Sequence, residues 1–149
     1  MARLGDRSKP VLPAQEFLFE HRGAQCAIAL QETTHGEAAH EFRNREERYV
    51  THSPQEGNEF CLARFGIAYL ERSKDQAVSF DDGDFSIEAD NKMYGRTISI
   101  WDNALSVSMY PGGEDTGWVV FQVPRSANVQ HIKFSPFLAD YTIWFDVPR

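Results

Sequence analysis

A chain of 149 residues fits one domain in which about two-thirds of the unfolded surface can be buried. Its 22 acidic against 15 basic residues leave a net charge of -7, which argues against binding a phosphate backbone and so against nucleic acid as a partner. No apolar run approaches the ~20 residues of a bilayer span, and 11 Phe, 5 Tyr and 3 Trp favour strands.

Residues 1–16 carry Gly5, Pro10, Pro13 and scattered charge, and read as a flexible N-terminal arm. Arg3, Arg7 and Lys9 have no continuous apolar segment behind them, so the start of the chain does not read as a signal peptide. Order is expected from Phe17, giving a single domain over 17–149. In GAQCAIALQETT, Gly23 to Thr34, alternation puts Cys26, Ile28 and Leu30 on one face of a strand.

The segment 35–56 reads as a charged insertion. Glu37, Glu41, Arg43, Arg45, Glu46, Glu47 and Arg48 surround only Ala38, Ala39 and Phe42, a pattern open to a short helix or a polar loop. GNEFCLARFGIAYLER, Gly57 to Arg72, is apolar on both faces and predicts a central strand. Short strands are expected at Ala77–Phe80, Phe85–Ala89, Arg96–Trp101 and Leu105–Tyr110, with turns at Asp81–Asp84 and at Asp90 and Asn91.

PGGEDTGWVVFQVP, Pro111 to Pro124, joins a glycine turn to a strand with Val119, Phe121 and Val123 facing the core and Trp118, Val120 and Gln122 opposite. Strands at Val129–Phe134 and Tyr141–Val147 close the chain, with Trp144 opposite Ile143 and Phe145. About eight short strands separated by turns predict an all-β chain folded as an antiparallel β-sandwich.

Four segments in this order, GNEFCLARFGIAYL, AVSF, DFSIEADNKMY and PGGEDTGWVVFQVP, resemble the telokin-like immunoglobulin-like domain family of unknown function. That family occurs in bacterial and archaeal secreted proteins and lipoproteins. The resemblance covers about Gly23 to Val147, although the segment 35–56 departs from it as an insertion. It implies an immunoglobulin-like, extracytoplasmic accessory domain without an established catalytic constellation. The lack of an exported N-terminus leaves a cytoplasmic location open.

Candidate chemistry is sparse. Cys26 and Cys61 read either as a disulfide between strands or as two buried thiols. The residues before Cys26 are not those of a lipid-attachment site. Asp81, Asp82 and Asp84 supply the oxygen ligands calcium prefers, but aspartate and glycine are also what a turn needs. His35 and His40 with Glu37 and Glu41 lack the histidine spacing of a helical zinc site. No nucleophile elbow or phosphate loop is present, so an enzyme is not expected.

The outward aromatics Trp118 and Trp144, with Glu114 and Asp115 in the turn, form the candidate binding set, unless other segments cover the rings. The function expected is therefore a noncatalytic binding or accessory module contacting a protein or glycan at the cell surface, with no resident cofactor. A calcium- or small-ligand-binding sandwich is the alternative, and an unrecognised hydrolase the third.

Overall fold

The segment with two apolar faces sets the architecture, because a strand buried on both sides needs neighbours at both edges and covers above and below. A computed structural model of the chain describes residues 2–46, 53–71, 75–97 and 103–148. In it β3 (Asn58–Glu71) lies between β2 (Ala24–His35) and β8 (Glu114–Pro124), and β1 (Phe17–His21) completes a four-stranded antiparallel sheet in the order β1-β2-β3-β8. A second sheet has the order β10-β9-β5-β6, from β5 (Phe85–Ala89), β6 (Lys92–Gly95), β9 (Val129–Phe134) and β10 (Ile143–Asp146). A ribbon of β4 (Val78–Asp81) and β7 (Ser106–Met109) lies beside them.

The sheets meet over an aromatic core. Phe65 lies 4.5 Å from Phe85 and 5.2 Å from Phe145, ring centre to ring centre, and Phe85 lies 4.8 Å from Phe134. Val119, Phe121 and Val123 are wholly buried in it, as their alternation predicts. Such tilted and edge-on ring contacts add to the apolar area the rings remove from water.

Turn chemistry explains the connections. Gly112 adopts φ 92° after Pro111, as the third position of a type II turn requires, and its N–H donates to the Tyr69 carbonyl. Asp90 and Asn91, at φ 49° and 61°, make the reversal between β5 and β6. At Gly117 the chain near Leu105 passes so close that a Cβ would strike its backbone, which a glycine alone avoids.

One open reading resolves, one strand is added and one expectation changes. The charged segment forms a helix, α1 (Glu37–Glu46), with Glu37 in its first turn and Arg43 and Arg45 in its last, where they complement the helix dipole. Phe17–His21 is a strand. Residues 2–16, read as a flexible arm, are tied down: Val11 is wholly buried, its N–H donates to the Trp144 carbonyl, and the Asp146 N–H donates to its own. Part of the expected strand Arg96–Trp101, together with His52, Glu47, Arg48 and Arg72, lies outside the described residues. Among the described residues no helix is long and apolar enough to cross a membrane.

The arm is also held by charge. Glu88 is buried on β5, where it accepts hydrogen bonds from Arg7 Nε at 3.0 and 3.1 Å and shares one with His131 Nδ1 at 2.7 Å. The Arg7 bond is the main cause holding the Glu88 carboxyl below its ordinary range, and His131 adds to it against the opposing effect of burial.

Two outcomes follow. Phe121→Ala should cost about 3–5 kcal/mol in chemical denaturation, the range for emptying a buried phenylalanine site; a loss below about 1 kcal/mol would contradict its place in the core. Glu88→Gln should cost about 1–3 kcal/mol at neutral pH. Because the folded carboxyl titrates lower than the unfolded one, the wild type's advantage should be full above the ordinary glutamate pKa of about 4.3 and fade as the pH falls through the lower folded value.

Candidate functional site

On the outer face of the β1-β2-β3-β8 sheet, side chains from four strands form rows, and α1 covers only part of them. Under α1 lie Phe60, Leu62, Trp118 and Val120, all buried and packed with Ala39 and Phe42. The Phe42 ring sits 4.9 Å from Trp118, the Arg43 guanidinium 4.7 Å over Phe60, and that of Arg64 5.8 Å over Trp118. Each arginine thus closes apolar surface with a planar cation over a ring.

The other part of the face is open. Pairing aligns Leu18, Ala27, Ala68 and Glu114 across all four strands, and beside them Ala29, Gly66 and Thr116 across three. These small residues floor a trough of about 340 Å³ rimmed by Glu16, Gln31, Glu114 and Asp115, with no lysine or arginine in its lining. The Gln31 amide lies over Gly66, where a Cβ would meet it. Leu18 and Leu70, on the same outer face by alternation, are 64% and 51% exposed. The carboxylates of Glu16 and Glu114 have no hydrogen-bond or ion-pair partner among the described residues.

A larger concavity, about 540 Å³, lies between the β4–β7 ribbon and the loop carrying Pro136 and Phe137. Several of its polar groups already have partners. Asp81 Oδ1 accepts from Gly83 N–H, Asp84 accepts from the N–H groups of Asp81 and Phe137, and His21 Nδ1 shares a hydrogen bond with the Tyr141 hydroxyl at 2.8 Å. Burial raises the carboxyls of Asp82 and Asp84 above their usual range and pushes the Tyr141 phenol upward.

The sequence candidates therefore scatter. Glu114 and Asp115 reach the trough, and Asp115 turns one oxygen to the Thr116 N–H. Trp118, expected outward for binding, is only 7% exposed because α1 covers it. Trp144 is half-buried on the opposite sheet, between Lys133 and His131. Asp81, Asp82 and Asp84 diverge: Asp81 and Asp84 cap the short 3-10 turn Asp82–Asp84, and Asp82 pairs with Arg96 at 3.1 Å. No group of three or more metal-ligating side chains converges among the described residues.

Cys26 and Cys61 are not bridged, which corrects the disulfide reading. They occupy adjacent strands, but Cys26 pairs with Tyr69 and Cys61 with His35, about 30 Å apart along the sheet and far beyond a disulfide's reach. The open face itself, through Leu18, Leu70, Ala27, Ala29 and Ala68, escapes sequence reasoning. Its one signal is that β3 is largely apolar on both faces, whereas the charged segment before it offers only about one short helix of cover.

A family model described as a domain of unknown function, DUF4352, matches residues 35–143. No curated protein matches the chain. Similar solved structures include MPT63, a secreted protein from Mycobacterium tuberculosis, with a TM-score of 0.63 at 10% identity over 94% of this chain and 99% of that one. The yjhA protein from Bacillus subtilis gives 0.62 at 11% identity, covering 93% and 99%. The ycdA protein of Bacillus subtilis, described as a candidate lipoprotein, gives 0.58 at 9% identity, and the chain covers 39% of its length with 86% of its own. At these identities the likeness shows the fold, an immunoglobulin-like β-sandwich.

The thiols give a direct check. Burial pushes the Cys61 thiol up to about 12, so iodoacetamide should leave it unmodified in the folded protein and label it on denaturation. The intact mass of protein purified without reductant should show no two-hydrogen deficit.

Proposed function

Since the chain belongs to the DUF4352 family of domains of unknown function, we propose that it is a noncatalytic binding or accessory domain of the telokin-like sandwich type, working outside the cytoplasm and contacting a protein through the open part of its β1-β2-β3-β8 face. The observation that carries this is a sheet face that α1 covers only in part, where Leu18 and Leu70 are exposed and a trough of small residues is rimmed by carboxylates. An uncovered sheet face that carries exposed leucines beside a concave trough is a common place for a partner to dock. The cluster of Arg7, Glu88 and His131 has a structural use in seating the arm. A secreted protein and a candidate lipoprotein among the fold's relatives support the location.

A photo-crosslinking amino acid placed at position 18 tests this reading in the organism that makes the protein, with position 93, at the exposed Met93 of the other sheet, as control. A discrete adduct from position 18 in the extracytoplasmic fraction, absent from position 93, is the outcome expected. Recovery of the protein in the cytoplasm would overturn the location, and adducts from neither position or equally from both would overturn the surface.

A further inference from the structure

The chain covers half of its sheet face with a helix, and the open half is shaped for a second one. Four strands spaced about 4.8 Å apart make a platform roughly 14 Å across, the length of two to three helical turns. Small residues Ala29, Gly66 and Ala68 are in its lining with the Gln31 amide folded over Gly66, and Leu18 and Leu70 stand exposed on the same sheet face. An extended segment lying on a sheet face would leave its own N–H and C=O groups unpaired, whereas a helix satisfies them internally. The rim adds a sign: Glu16, Glu114 and Asp115 line it and no basic side chain does.

We infer that this trough docks a basic amphipathic helix of a partner protein, one whose small and leucine side chains meet the floor while lysines or arginines reach Glu16, Glu114 and Asp115. The inference rests on the binding-domain reading above and names the chemistry of its partner. α1 provides the precedent within the molecule, since it pairs Ala39 and Phe42 with the arginine Arg43 on the same face. Two other occupants fit worse. A second copy meeting face to face would set the three carboxylates of one trough against those of the other, and like charges across an interface are penalised. A glycan would find no aromatic ring in the lining on which to stack.

The probe is a synthetic helical peptide of about 18 residues, five turns, with an alanine–leucine face flanked by lysine and arginine. Two controls are a scramble of the same composition and a version carrying glutamate in place of the cations. Titration into the isotopically labelled full chain should shift the amides of Ala27, Ala29, Ala68 and Thr116. The scramble and the acidic version should bind at least about tenfold more weakly. Joint reversal of two carboxylates, Glu16→Lys with Glu114→Lys, should weaken the basic helix by about tenfold or more, as should Leu18→Asp, each at an unchanged melting temperature. Equal binding of the scramble, shifts confined to other surfaces, or indifference to charge reversal would overturn the inference. A specific crosslink from position 18 with no binding of the basic helix would leave the binding-domain reading standing and refute this partner chemistry. Absence of both would remove the two together.

Discussion

The fold depends on one strand that must be dry on both sides. β3 turns Cys61, Ala63, Phe65, Ile67 and Tyr69 into the sandwich and Phe60 and Leu62 away from it, and all of them are buried. The first face requires an opposing sheet, which β5, β9 and β10 provide through Phe85, Ile132, Phe134 and Phe145. The second face requires something outside a two-sheet sandwich. α1 meets that need over Phe60 and Leu62 but stops short of Gly66 and Ala68, and the candidate surface is the remainder of an unfinished cover.

Period-two alternation made the inner faces legible, because burial there needs only a sheet opposite and the alternation holds between the bulges. It could not say what lies over the outer face. Trp118 is outward by alternation and buried by packing, since its cover comes from a segment whose charge disguised it. Ala39 and Phe42 are few, and Arg43 and Arg64 replace further apolar side chains by lying flat on Phe60 and Trp118. A count of hydrophobic residues misses cover of this kind.

Register was the other silent quantity. Cys26 and Cys61 sit on the predicted strands and the predicted face, yet a disulfide depends on which residues stand opposite, and that is set by turns and by the shift between Leu30 and Glu32. The aspartates at 81–84 were correctly seen to suit a turn, and the capping bonds explain why: their carboxylates serve the backbone of that turn. Glu114 and Asp115 stood out in sequence as acidic neighbours of a glycine turn. Their companions Ala27, Ala29, Gly66 and Ala68 did not, because a small residue in a strand gives no sign of whether it is packed under a neighbour or left as a floor.

The seated arm also protects an edge of the second sheet. Val11 exchanges backbone hydrogen bonds with Trp144 and Asp146, and Gly5 accepts another from Trp144, so the outer margin of β10 is capped by the chain's own beginning. An uncapped margin of this kind is a template on which further strands can add, and it drives sheet-to-sheet aggregation. Cleavage within residues 2–16 would therefore strip a guard as well as an anchor, leaving Glu88 without Arg7 and β10 open to the next molecule. Those residues are thus part of the sheet's protection as well as of its core.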